Sequence, residues 1–366
     1  MAFRLQVLST AEEISQVRAD WEALAATSMH PMNGPTWFSN AAGFVHAPSD
    51  RLHVIALWDQ QSLAGLAPLI LTKGPTGPRY EIIGSRVLYE PAAMLAKSEE
   101  AAAELGRAVA LLKYPVVLTR LAAADPFNDA FVRYARRAGV VVSPAASGSP
   151  HIQLSRGWDA YYESLPSRLK NVIRRGHRQL GKTGQVEFEF VRPEAAQVTT
   201  LLQQAFEVEL RSWKRRSGSA VLLRSELREF FFHYAEDLAR RGELLVSFMR
   251  LDGVPVAMQV ANLSFDAYWQ LKIGYDERYA KQLVGLQLQM ETIKWSCQQG
   301  LRAYEFLGTA EPWLQEWTST VHAYRTLYFY PFNPRGLGAL LRDNIGRVLG
   351  RLARHRGAAK GDTAGA

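Results

Sequence analysis

Thr10 and Glu13 stand three apart, directly ahead of Ile14, Val17, Trp21 and Leu24. A capping box followed by apolar positions three and four apart predicts an opening helix. Two apolar runs, 53–58 and 63–71, are joined by Asp59–Ser62 and predict a β-hairpin. Helical periodicity over 98–112 and 127–138 brackets a strand-like VVLTRL at 116–121. Val140–Val142 predicts a further strand, and SPAASGSP at 143–150 a linker. The second half repeats the plan: a basic helix at 167–181, then amphipathic helices over Val198–Trp213 and Leu227–Leu238. A three-strand meander follows at 242–275, turning at Asp252-Gly253 and Ser264–Asp266. A helix from about 283 to 299 carries Leu286, Met290, Ile293 and Cys297 on one face, with Gly300 as its C-cap glycine. Strands at 302–308 and 321–330 close the pattern. Residues 53–71 lie without gaps on 244–262, apolar strand on apolar strand and polar turn on polar turn, which predicts duplicated domains.

Composition sharpens this picture. The chain has 366 residues, 48% hydrophobic and 21% charged, enough for two domains with sizeable cores. A single cysteine, Cys297, excludes an intrachain disulfide and fits a reducing compartment. No signal-peptide core is visible, and no apolar run approaches the ~20 residues of a membrane span, so the expectation is a soluble, cytoplasmic protein. The net charge of +8 gathers at 168–182 and 342–356. Such concentration favours an anionic small molecule over DNA. The eight histidines show no metal-ligand spacing, and no Walker loop, dinucleotide-binding glycine motif or serine-hydrolase elbow occurs, so no metal is expected.

The residues after the meander carry the chemistry. Gly274-Tyr275-Asp276 ends its third strand, and Lys281, Gln282, Leu283, Val284 and Gly285 precede or form the next helix's first turn. Free N–H groups there can hold a pyrophosphate; equally, Gly285 could serve only close β–α packing. Asp276 could be an acid or simply the N-cap of the following turn.

Gln282-x-x-Gly285 resembles the first half of the pyrophosphate motif of GNAT acyltransferases, with Gln287 standing where a second small residue belongs. The stretches 167–184, 251–258, 274–289 and 304–317 resemble a GNAT-like family of acetyltransferases of cellulose and exopolysaccharide biosynthesis, relatives of Fem-type peptidyltransferases. Glu305-Phe306 replaces the family's frequent Asp-Phe, and Trp313-Leu314 its Tyr-Lys, which removes a cation.

The resemblance implies an α/β (α+β) fold of two tandem GNAT-like domains, each a mixed, mostly antiparallel sheet flanked by helices. A degenerate N-terminal domain would span 1–150 and an acyltransferase domain 151–335, with a basic amphipathic helix and disordered tail at 336–366. It implies acyl transfer from acyl-CoA, acetyl-CoA first, to an amine or hydroxyl of a cell-envelope or exopolysaccharide acceptor, without a metal. The cofactor would lie where the fourth and fifth strands splay, with backbone N–H groups near Leu271–Ile273 facing the thioester. Glu305 and Glu311 are the candidate bases, or else a strand-edge or buried paired carboxylate and an N-terminal helix charge respectively, with Asp276 a second acid. Trp269, Tyr275, Trp313 and Trp317 could line a saccharide-type acceptor pocket, or simply be core. Arg168, Lys170, Arg174 and Arg175 could bind phosphates, or form a solvated helix face. The C-terminal helix could rest on a membrane surface or a polysaccharide synthase, or dock on its own domain. Two other readings are a Fem-like transferase using aminoacyl-tRNA and a non-catalytic binding subunit.

Overall fold

The computed structural model describes residues 3–74 and 76–345. Within them the apolar runs pair into one fourteen-stranded sheet. The first half supplies β1 (Arg4–Leu8), β2 (Arg51–Asp59), β3 (Ser62–Gly74), β4 (Gly77–Ile82), β5 (Leu95–Ala96), β6 (Val116–Ala122), β7 (Gly139–Val142) and β8 (Ala145–Gln153). The second supplies β9 (Val186–Val191), β10 (Leu244–Leu251), β11 (Val254–Ser264), β12 (Ala267–Tyr275), β13 (Ala303–Glu305) and β14 (Val321–Pro331). Their order is β1-β2-β3-β4-β6-β14-β8-β13-β12-β11-β10-β9, with β5 beside β3 and β7 beside β14.

The duplication expected from the hairpins extends to topology. In the first half β2, β3 and β4 form an antiparallel meander, helix Glu99–Ala110 crosses over, and β6 returns parallel to β4. In the second, β10, β11 and β12 do the same, helix Val284–Gln298 crosses over, and β13 returns parallel to β12. Each half is thus a mostly antiparallel sheet with one parallel step. Parallel neighbours need a long connection, and the amphipathic helices provide it.

Two features depart from the expected pattern. Residues 143–150 read as a linker, yet most of them belong to strand β8, whose first part pairs with β14 and whose end pairs with β13. The small residues have a packing reason. A Cβ on Gly148 would lie 2.3 Å from the Val321 side chain and 2.5 Å from the His322 carbonyl, so bulk is excluded there. The strand expected at 302–308 stops at Glu305, because Leu307 and Gly308 turn left-handed, at φ 54° and 49°.

The halves share strands and core. β14, from the end of the described chain, lies between β6 and β8. Trp37, on helix Pro35–Phe44, packs edge-on against Phe230 and Tyr234 of helix Ser225–Arg240, with ring centroids 5.0 and 5.1 Å apart. Among the described residues no helix is long and apolar enough to cross a membrane. Residues 334–345 are helical. The rest of the predicted amphipathic helix and the tail lie outside the described residues.

Candidate functional site

β12 and β13 pair only from Ala267↔Ala303 to Trp269↔Glu305. β12 then runs on to Tyr275, while the other chain turns away, and a fork opens between them. The closed end of the fork is held rigidly. Tyr268 and Tyr304 stack with centroids 4.4 Å apart, and the buried Tyr304 hydroxyl meets Gln259, Gln270, Gln289 and Thr292 within 3.1 Å. A satisfied buried network of this kind fixes geometry.

At the fork's mouth lies a groove of about 340 Å³, lined by Lys214, Ile273, Tyr275, Leu283, Gly285 and Trp313 among others. Helix Val284–Gln298 begins here after a left-handed Leu283 (φ 58°), and its first turn has no side-chain cap. Its N–H groups and dipole therefore favour an anion. Gly285 also permits close packing, since a Cβ there would lie 3.1 Å from the Tyr275 ring. The close-packing reading of this glycine is thus met by the Tyr275 ring. The Ile273 carbonyl accepts a 2.6 Å hydrogen bond from the Lys214 ammonium, which also pairs with Glu209 at 2.8 Å.

The remaining residues read as cofactor-binding lie nearby. Lys281 is exposed, and Val284 is buried in the core beneath the helix. The Gln282 carbonyl accepts from the Gln287 amide at 2.7 Å. So Gln287, which replaces the motif's second small residue, braces the turn with its own side chain. Leu271 lines a separate small cavity of about 40 Å³, together with Lys272 and Glu90.

Glu90 comes from the other half and had no signal in the sequence. Its carboxylate accepts the Gly308 N–H at 3.1 Å. Had the β12–β13 register continued from Trp269↔Glu305, Gly308 would face Lys272. Glu90 thus sits where strand pairing is missing. Burial pushes its carboxyl above the usual range, opposed by Arg120, the Gly308 N–H and Lys272. Burial likewise lowers the Lys272 ammonium, helped by the charge of Lys214. Arg120 is fully buried on a bulge of β6, at φ 54°. It donates to the Tyr89 carbonyl and Ser149 hydroxyl, each at 2.6 Å, and also to the Gly308 carbonyl.

Residues 167–315, which contain this fork, match the family model described as an acetyltransferase (GNAT) domain. That segment is GNAT-like. In three dimensions the chain is similar to FemX, with 12% identity and a TM-score of 0.57 over 91% of this chain and 98% of that one. It is also similar to the C-terminal DUF2156 domain of a lysylphosphatidylglycerol synthetase-like protein of Agrobacterium fabrum, at 10% identity, TM-score 0.52, and 91% and 96% coverage. A conserved Bacteroides thetaiotaomicron protein of unknown function aligns at 8% identity, TM-score 0.51, and 90% and 100% coverage. These likenesses concern the fold. No curated protein matches the chain in sequence.

Around the GNAT-like fork the other candidates separate. Asp276 is a cap and a paired carboxylate: it accepts the Arg278 N–H at 3.1 Å and Arg211 Nε at 2.9 Å. Burial pushes it up, but the Arg278 and Arg211 contacts outweigh this and hold it below the usual range. Glu311 is exposed, outside both the groove and the cleft described next, and accepts from the Thr309 hydroxyl at 3.0 Å. Glu305, at the last paired position, turns to the opposite face and meets His322 Nε2 at 3.0 Å. There it lines a cleft of about 800 Å³ between the halves, with Trp269, His30, Arg302 and Asp125. Trp317 is core, its backbone carbonyl taken by the Tyr161 hydroxyl at 3.1 Å.

Lys170, Arg174 and Arg175 line a third hollow of about 790 Å³, with Arg178 and Lys294, between helices Ser167–Leu180 and Val284–Gln298. Arg168 is exposed and outside it. Gly176 seats the basic helix: a Cβ there would lie 2.4 Å from the Gln282 carbonyl. His177 then reaches Gln287 at 2.9 Å, tying the basic helix to the turn at the fork.

Proposed function

We propose that the protein is an acyl-CoA-dependent N- or O-acyltransferase, with acetyl the first candidate group and a saccharide-type acceptor of the cell envelope or an exopolysaccharide. One observation carries this reading: the acetyltransferase-model match coincides with a strand fork that opens on an uncapped helix start. The acyl-CoA pyrophosphate would meet the first-turn N–H groups near Gly285, and the thioester would enter the fork beside Ile273. The acceptor nitrogen or oxygen attacks the thioester carbon, the C–S bond breaks, and CoA leaves as thiolate. Glu90 takes the acceptor's proton, and burial, by raising its pKa, makes it a stronger base than a solvated glutamate.

Calorimetric titration with acetyl-CoA and longer acyl-CoAs tests the reading. Micromolar binding is expected for the wild type and none for Gly285→Glu, whose carboxylate would repel phosphates and whose bulk would push Tyr275 into the groove. Circular dichroism of the variant checks that it folds. Absence of binding to every acyl-CoA by the wild type would sink the proposal; binding without turnover across acceptors would favour a binding subunit.

A Fem-like donor, aminoacyl-tRNA, is the second reading. The likeness to FemX over nearly the whole chain and the cationic hollow at Lys170, Arg174, Arg175 and Arg178 support it. Peripheral attachment to a membrane face rests on the exposed Leu337, Leu341 and Ile345, one helical turn apart.

A further inference from the structure

Three side chains at the junction of the halves are left unused by the acyl-transfer reading: Glu305 and His322 on the cleft, and the buried His151 beside them. His151 on β8 is the direct cross-strand partner of Glu305 on β13. His322 on β14 is the partner of Ser149, two residues along the same strand from His151. Side chains alternate along a strand, so residues 149 and 151 share a face, and neighbours directly across it stand about 5 Å apart at Cβ. Pairing alone therefore gathers His151, Glu305 and His322 on one face of three adjacent strands. Their ligand atoms all lie within 4.8 Å of one another.

The contacts within the trio are specific. The two imidazoles stack with centroids 3.9 Å apart and planes 13° apart. Glu305 meets His322 Nε2 at 3.0 Å, leaving a proton between groups that would otherwise share a cation. His151 is 7% exposed, and its Nδ1 has no hydrogen-bond partner. A buried ring nitrogen without a partner is costly, and a cation is one way to satisfy it. Glu305 and His322 open on the cleft of about 800 Å³, so one coordination position would face solvent or a bound molecule.

We propose that His151, Glu305 and His322 bind a divalent first-row transition ion, with Zn²⁺ the reference. Two imidazoles and a carboxylate suit such ions, whereas calcium and magnesium prefer all-oxygen shells. Three protein ligands and an open fourth position make a site that can take a ligand from the cleft. A small rotation of His322, which is the least buried of the three, replaces its bond to Glu305 with shared coordination. The histidines come from strands of opposite halves, so the ion also bridges the junction. No motif in the sequence announces it, because the three residues converge only through strand exchange.

The test uses the tag-free, full-length chain after chelator treatment, titrated with Zn²⁺ by calorimetry and with Co²⁺ by visible absorption. One ion per chain is expected, with the intense ligand-field bands of a four- or five-coordinate Co²⁺ site. His151→Gln, Glu305→Gln and His322→Gln should each weaken binding by about tenfold or more, since even outer-shell changes cost that much. His177→Gln, on the basic helix, should bind as the wild type does. Absence of stoichiometric binding to the wild type, a weak octahedral Co²⁺ spectrum, or binding as tight as the wild type's by all three variants would overturn the proposal. Where a variant fails to fold, the wild-type spectrum still decides. None of these outcomes depends on whether acyl-CoA binds.

Discussion

Glu90 is a carboxylate held in a small cavity between two cations and a backbone N–H, with its pKa raised by burial. A base must be ionised, so a raised pKa moves the onset of activity upward. The rate should climb with pH through a midpoint above the ordinary ~4.3 of glutamate. Glu90→Gln keeps the acceptor atom for Gly308 N–H but cannot take a proton. It should lower kcat by roughly 10²- to 10⁴-fold with little change in KM for acyl-CoA, and abolish the acidic limb of the kcat/KM profile. An unchanged profile would remove Glu90 from the chemistry. At this scale the sequence was only partly legible. Glycines and aromatics near 274–285 could be read because a strand end and a helix start have recognisable residues. Glu90 could not, since it lies among residues without periodicity and gains its role only from the opposite half.

The bulge in β6 is where one element controls another. Arg120 bonds the Tyr89 and Gly308 carbonyls, lies 5.1 Å from the Tyr89 and Tyr324 ring centroids, and supplies positive charge to Glu90. Removing a buried partner leaves the others desolvated and unpaired. Arg120→Met should therefore cost about 3–5 kcal/mol in urea unfolding. A loss under about 1 kcal/mol would mean that water replaces the guanidinium. Most elements were readable from apolar spacing, the meander and the 284–298 helix above all. Residues 143–150 were not, because Ser, Gly and Pro signal a turn whether they lie in solvent or under a crossing strand. The early stop of β13 was equally silent, since Leu307 adopts a left-handed conformation that its side chain does not advertise.

For the whole molecule, the shared β14 governs how separable the halves are. Leu327 and Phe329 on that strand are fully buried. A 1–150 fragment would expose the long edge of β6 and the apolar surface those residues cover. It should be insoluble alone and recover when co-expressed with a 151–345 fragment, as read by gel filtration. A soluble, monomeric 1–150 fragment would show that the exchange adds little. The duplication was legible in the hairpins, but the exchange was not: pattern gives a strand's existence, and its neighbour is a long-range choice.

That exchange also sets a timetable for synthesis. About 170 residues separate Gln153 from Val321, so at about 5–20 residues per second the ribosome needs on the order of ten to thirty seconds to supply them. Throughout that interval the emerging first half has an open strand position beside β6, and the nascent chain depends on shielding until its last strand arrives.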